Sequence, residues 1–162
     1  MKKYPISRCI PEPLPFCATR GSVLPLIKKC FAGTGWVKQA ETDLIENPTF
    51  RQLYGVANVN GDLVGLIGWY RVPKYDTIAG LSYFCAHPTY QGEALGWFLF
   101  NWLCLHLKNE EKYQTLEIHC SLDLPKGMAF YERVGCTKWP KYKAIQRLGK
   151  NDVCYRYDLT QH

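Results

Sequence analysis

No stretch of this chain approaches the ~18 consecutive apolar residues that a membrane-crossing helix needs. Met1-Lys2-Lys3 leads into Tyr4-Pro5 rather than into the apolar centre of an export signal, so a cytoplasmic protein with no membrane partner is expected. The eight cysteines (Cys9, Cys17, Cys30, Cys85, Cys104, Cys120, Cys136, Cys154) form no C-x-x-C pair and have no partnering C-x-x-H. That spacing indicates neither a zinc site nor a redox motif, and the thiols read as small buried hydrophobes. Internal repeats and low-complexity runs are absent too. Acidic residues are the scarcer charge, 14 against 20 Lys and Arg, and the resulting +6 suits an anionic ligand, either a nucleotide-like cofactor or a nucleic acid. What is present is 47% apolar and 21% charged over 162 residues, the make-up of one compact domain that buries roughly 70% of its unfolded surface.

Pro5, Pro11, Pro13 and Pro15 forbid a helix or a central strand, so residues 1–15 are expected as an extended arm and 16–162 as the domain. Phe16–Thr19 reads as a first strand. Thr19 or Ser22 is then placed to cap a helix running to about Phe31, with Val23, Leu26, Ile27 and Cys30 on one face. Gly33-Thr34-Gly35 ends it. The stretch Gly33–Lys38 lacks the Gly-Lys-Ser/Thr ending of a phosphate loop and follows a helix, so it reads as a helix cap and turn. A second helix spans Glu41–Asn47, ended by Pro48. Leu53–Val59, the turn Asn60-Gly61 and Leu63–Arg71 form a hairpin, and Thr77–Ala86 is a strand buried on both faces. From Gly92 to about Asn109 runs a helix apolar almost all round, which places it centrally. Then follow a strand at Leu116–Cys120, a helix at Lys126–Val134 capped by Gly135, and strands near Lys143–Arg147 and Val153–Leu159 around the turn Gly149–Asp152. The hairpin requires antiparallel pairing and the strand–helix–strand units require parallel pairing, so the fold class is α/β (α+β) with a mixed sheet.

The organising stretch is Phe84-Cys-Ala-His-Pro-Thr-Tyr-Gln-Gly-Glu-Ala-Leu-Gly-Trp97, an apolar strand stopped by Pro88, a glycine-containing turn, then the long helix. Such a turn aims backbone N–H groups and the positive end of a helix at one point, which attracts a phosphate or pyrophosphate. Gln91-Gly-Glu-Ala-Leu-Gly96 resembles the acyl-CoA loop of the GNAT superfamily of N-acyltransferases, Gln/Arg-x-x-Gly-x-Gly/Ala, matching at Gln91 and Gly96 and departing at Ala94. A second block, Phe130-Tyr131-Glu-Arg-Val-Gly135, stands at the family's distance, and the element order from about Phe16 to Leu159 is similar to the GNAT fold, a mostly antiparallel sheet with about four helices.

The resemblance implies an acetyl-CoA donor and a direct attack by an amine in a ternary complex, without a metal. It implies that Gln91, Gly92, Glu93, Ala94, Leu95, Gly96 and Trp97 hold the pyrophosphate, and that Phe84, Cys85 and Ala86 pair with the pantetheine arm. Tyr131 corresponds to the tyrosine that protonates the departing thiolate, a role that suits a phenol with a pKa of about 10. Some relatives carry a glutamate early in the preceding strand, whereas Ile78–Tyr83 holds no carboxylate; candidates for the base are Tyr83 or Ser82 through water, His119, Glu41 and Asp43. Leu124 stands where the family often has an asparagine that contacts the pantetheine. Many relatives pair, so a homodimer is compatible with the resemblance.

Other constellations compete. Cys85 and His87 lie two apart on a strand, on one side, as a thiol and its base would, although next to Pro88 the histidine reads as a strand-end residue. Lys138, Lys141, Lys143, Arg147 and Lys150, interleaved with Trp139 and Tyr142, match either a nucleic-acid surface or a solvated hairpin. Trp36, Trp69, Tyr70 and Trp139 are candidates to line an aromatic acceptor pocket. The alternatives to the enzyme are a CoA-binding regulatory module and an RNA-directed acetyltransferase.

Overall fold

The computed structural model describes residues 11–13, 19–46, 52–92, 94–139 and 152–161. The expected strand at 143–147, all of the expected strand Phe16–Thr19 except Thr19, which begins a helical turn, most of the proline arm, Pro48 and most of the basic run lie outside the described residues. Among the described residues seven strands, β1 (Glu12–Pro13), β2 (Gln52–Ala57), β3 (Leu63–Arg71), β4 (Ile78–Ala86), β5 (Thr115–Ser121), β6 (Thr137–Lys138) and β7 (Asp152–Asp158), hydrogen-bond in the order β1-β2-β3-β4-β5-β7-β6. Four α-helices accompany them among the described residues: α1 (Leu24–Cys30), α2 (Trp36–Glu46), α3 (Leu95–Asn109) and α4 (Pro125–Arg133). The sheet is mixed and mostly antiparallel, with β4 and β5 parallel. Among the described residues no helix is long and apolar enough to cross a membrane.

The chain clusters into two compact units, one of the described residues up to Trp69 with Ser82–Leu103, the other of Tyr70–Leu81 with the described residues from Cys104 onward. In the first, the β2–β3 hairpin forms as expected, with Tyr54 opposite Ile67 and Gly55 opposite Leu66. Its turn is longer than Asn60-Gly61 alone. The Asn58 side-chain oxygen accepts from the N–H of Asn60 at 2.9 Å and of Asp62 at 3.0 Å, so asparagine chemistry closes a loop of five residues, with Gly61 at φ +83°.

Helix α1 has Val23 at its N-cap position rather than Thr19 or Ser22. Residues Thr19–Val23 already form a wide helical turn, Val23 has helical dihedrals, and no side chain caps it. Helix α2 starts at Trp36, five residues before the expected Glu41, because Gly35 offers its carbonyl to the N–H of Gln39 at 3.2 Å. Val23, Leu26 and Ile27 of the first helical segment meet Ala40 and Leu44 of α2 and Leu53, Leu66, Tyr83 and Cys85 of the strands in one core. Each fully buried aliphatic side chain there contributes about 2 kcal/mol.

The expected central helix begins at Leu95 rather than Gly92, and it is not buried all round. Leu95, Leu99, Phe100, Leu103, Cys104 and Leu107 are buried, whereas Trp97 is 58% and Leu105 41% exposed. Its first turns press on β3, where a Cβ on Gly65 would stand 2.9 Å from the Leu99 side chain.

In the second unit β5 pairs with β7 in antiparallel register from Thr115 opposite Asp158 to Ser121 opposite Asp152. The short β6, which the sequence reading missed, adds Thr137 opposite Arg156. Gly135 ends α4 at φ +94°, as expected of a helix-terminating glycine. The Tyr131 ring stacks at 5.8 Å from that of Tyr155.

Candidate functional site

The stretch singled out by sequence folds as a strand, a turn and a helix, all inside the first unit. Strand β4 runs to Ala86; the His87 N–H donates to the Val64 carbonyl at 2.7 Å, and Pro88–Tyr90 make one tight helical turn. Gln91 folds back, its side-chain amide donating to the Ala86 carbonyl at 3.3 Å. Gly92 then turns at φ +85° with open space where a Cβ would be, and Ala94 turns again at φ +61°. The first helical hydrogen bond of this end runs from the Phe98 N–H to the Ala94 carbonyl at 2.9 Å, so the amides of Leu95, Gly96 and Trp97 precede the helical ladder. Two left-handed residues, Gly92 and Ala94, thus precede the first amides of the helix, the kind of backbone turn at which N–H groups converge. Glu93 lies outside the described residues.

Ala94 stands at the position where the sequence departs from the family's glycine, and a left-handed conformation costs a residue with a Cβ ~1–2 kcal/mol. Ala94→Gly is therefore expected to stabilise the protein by about 1 kcal/mol, raising the Tm by ~2–4 °C in thermal unfolding. An unchanged or lower Tm would show that Ala94 is unstrained.

On β4, three residues before its end, a buried polar pair brings together two of the candidate bases. Tyr83, held at φ +44°, donates its hydroxyl to Asp43 Oδ2 at 2.8 Å, and Gln39 donates to Asp43 Oδ1 at 2.7 Å. Asp43 is 6% and Tyr83 8% exposed. Gln39 and Asp43 lie four apart on α2 and so share a face. Ser82 is buried in the same strand, while Glu41 is committed to a surface ion pair with Lys28 at 2.8 Å.

Cys85 and His87 do not act on each other. The Cys30 thiol donates to the Ala86 carbonyl at 3.3 Å and lies against Cys85, and His87 meets the Thr89 N–H through Nδ1 and Lys29 Nζ through Nε2 at 3.4 Å. The hydrogen bond with Cys85, aided by the Lys29 charge and opposed by burial, lowers the Cys30 thiol, while that bond and burial push Cys85 well up. Brief native alkylation at neutral pH is thus expected to label Cys30 ahead of Cys85, Cys104, Cys136 and Cys154, read by peptide mass mapping. Equal labelling of Cys85 would contradict the pairing.

The remaining candidates belong to the second unit. Tyr131 is buried on α4, its ring edge-on to Phe130 at 5.6 Å. Neighbouring Tyr155 donates to Glu132 at 3.1 Å, and burial together with that carboxylate pushes it up to about 12. Leu124 starts α4 without any side-chain cap bond. His119 lies on β5 with Nε2 3.2 Å from Glu117 Oε1. Of the basic run, Lys138 is paired with Glu132 at 2.8 Å and Trp139 carries the Arg156 guanidinium 4.2 Å above its ring. Of the four candidate acceptor-pocket aromatics, Trp69 is buried, Trp36 is half-buried, Tyr70 covers Gly80 and Trp139 is taken by Arg156. Sequence reasoning named Tyr83 and Asp43 singly and missed their union; a tyrosine on a strand and an aspartate on a helix 40 residues apart carry no local signal.

Comparison with known proteins agrees with this geometry. The model of the acetyltransferase (GNAT) family matches residues 23–136. A GNAT-family acetyltransferase from Staphylococcus aureus Mu50 superimposes with a TM-score of 0.76 at 16% identity, covering 93% of this chain and 99% of its own. Mutant forms of a spermidine/spermine N-acetyltransferase from Vibrio cholerae superimpose with a TM-score of 0.69 at 13% identity, covering 96% of each chain. Among curated proteins no sequence matches. With its motif blocks, its sheet order and a family match spanning most of its length, the chain belongs to the GNAT family of acetyltransferases.

Proposed function

We propose that the protein transfers an acetyl or other short acyl group from acyl-CoA to a primary amine by direct attack in a ternary complex. The observation that carries this reading is the turn with Gly92 at φ +85° and Ala94 at φ +61° leading into the first turn of α3, with the buried Tyr83–Asp43 pair on the strand that precedes it. In this reading Gln91, Gly92, Ala94, Leu95, Gly96 and Trp97 bind the pyrophosphate through their backbone, and Phe84, Cys85 and Ala86 run beside the pantetheine. The amine reaches the site as an ammonium ion and must lose a proton before it can attack. The Tyr83 oxygen accepts that proton as its own hydroxyl proton passes to the Asp43 carboxylate, to which it already donates at 2.8 Å. As the amine nitrogen bonds to the acyl carbon, the carbon–sulfur bond breaks and the Tyr131 hydroxyl protonates the thiolate, so the products are an amide and free CoA.

Acetyl-CoA at a hundredfold excess over its Kd is expected to stabilise the protein by about 2.7 kcal/mol, a Tm rise of ~5–10 °C. Gly92→Pro, which removes an N–H and excludes the left-handed turn, is expected to abolish that rise. Release of CoA thiol is then followed with primary amines, polyamines first because one fold neighbour is named for spermidine/spermine. Absence of any stabilisation at millimolar acetyl-CoA would overturn the reading. Stabilisation without turnover of any amine would favour the second one, a CoA-binding regulatory module, whose supporting observation is Leu124 in place of a polar residue at the start of α4.

A further inference from the structure

The register of β5 and β7 builds a polar face inside the second unit. His119 is directly opposite Cys154 and Glu117 directly opposite Arg156, and because side chains alternate along a strand all four project from one face. A carboxylate oxygen of Glu117, an imidazole nitrogen of His119 and the thiol of Cys154 lie within 4.8 Å of one another. Glu117 is 2% and Cys154 6% exposed, and the His119 side chain 7%. None of the three is used by the acyl-transfer chemistry proposed above.

We propose that Glu117, His119 and Cys154 form a binding site for a thiophilic divalent cation, zinc in the first instance. Zinc takes sulfur, nitrogen and oxygen donors at ~2.0–2.3 Å in tetrahedral array, which sets the donors about 3.5 Å apart. The trio therefore contracts by ~1 Å, a movement that side-chain rotation supplies. Arg156 holds Glu117 Oε2 at 2.9 Å and leaves Oε1 facing His119 Nε2, 3.2 Å away, so the atoms now sharing a hydrogen bond become two ligands and Arg156 orients the carboxylate from behind. As the metal binds, Cys154 gives its thiol proton to solvent and His119 gives up the Nε2 proton it shares with Glu117 by taking the Nδ1–H tautomer, so that thiolate plus carboxylate balance the charge of the ion. A sulfur and an imidazole discriminate against magnesium and calcium, which take oxygen donors. The fourth position stays open to water or a ligand. Entry runs past Arg156, whose side chain is 25% exposed and stacks on exposed Trp139. The cysteine spacing along the chain gives no hint of the site, because its ligands come from two strands.

Cobalt(II) titration of the full chain tests this. One equivalent is expected to produce the thiolate-to-cobalt charge-transfer band and the visible bands of a tetrahedral site, and zinc is expected to bleach them. Cys154→Ser is expected to lose the charge-transfer band. His119→Gln is expected to weaken zinc by more than the roughly 10- to 100-fold that loss of an outer-shell partner costs. Metal-free Tm and circular dichroism verify that both variants are folded, and Glu117→Gln serves in place of either one that is not. No band at excess cobalt, or a band unchanged in Cys154→Ser, would overturn the proposal. Both readouts are independent of acetyl-CoA and of turnover.

Discussion

Tyr131→Phe is expected to lower kcat for acetyl transfer by about 10²–10⁴-fold, the range for loss of a positioned general acid. The substitution keeps the ring that packs 5.6 Å from Phe130 and 5.8 Å from Tyr155, and removes one oxygen. Stability should therefore change by no more than ~1.5 kcal/mol, and the Kd for acetyl-CoA should hold. A group that protonates the leaving thiolate acts late, so KM should move far less than kcat. Steady-state kinetics beside thermal unfolding decides the matter. An active Tyr131→Phe enzyme would leave the thiolate to solvent and make Tyr131 a packing residue. Asp43→Asn removes the carboxylate to which the Tyr83 hydroxyl donates and, in the proposed mechanism, is expected to lower kcat far more than the Kd for acetyl-CoA, a split that a purely structural aspartate would not produce.

Arg156→Met is expected to destabilise the protein by about 3–5 kcal/mol at neutral pH, because it strands the buried Glu117 carboxylate. Arg156 donates to Glu117 Oε2 through both Nε, at 3.2 Å, and Nη2, at 2.9 Å. Burial pushes the Glu117 carboxyl up, but the hydrogen bonds from His119 and Arg156 outweigh it and hold the group below the usual carboxylate range. A depressed folded value means that this stability is present above the unfolded pKa of about 4.3 and is lost as pH falls through the folded value. The deficit of Arg156→Met should accordingly shrink as pH drops below about 4.3 and Glu117 takes up a proton in both states. The double variant Arg156→Met, Glu117→Leu should recover most of the loss, since an apolar pair of similar volume replaces the ions. Denaturant unfolding at two pH values measures all three effects; additivity of the two single substitutions would refute the coupling.

Local chemistry made much of this fold legible. Asn-Gly between β-rich runs located the β2–β3 hairpin, Pro88 stopped β4, and Gly135 ended α4. Helix starts were less readable. Trp36 and Leu95 begin their helices without a Ser, Thr, Asp or Asn cap, so the boundary rests on backbone carbonyls and on packing rather than on a side chain that sequence displays. The turn proposed to hold the pyrophosphate was marked in the sequence by Gln91 and Gly96, yet the bend itself is made at Gly92 and Ala94, one of them not a glycine. Pairs that join distant elements were illegible: Tyr83 with Asp43, Cys30 with Cys85, and Glu117 with Arg156 exist only once strand register and helix facing are set. The short β6 escaped because two residues carry no periodicity.

The two-residue strand β1 has a consequence beyond its size. It occupies the first edge of the sheet, with Glu12 opposite Gly55 and Pro13 opposite Tyr54. Pro11 and Pro13 have no N–H to give, and Glu12 is charged and exposed. A strand from another molecule that approached this side would find neither a full set of donors nor a neutral surface to lie on. The prolines thus make this edge a poor template for a further strand and shield β2 from pairing with other chains.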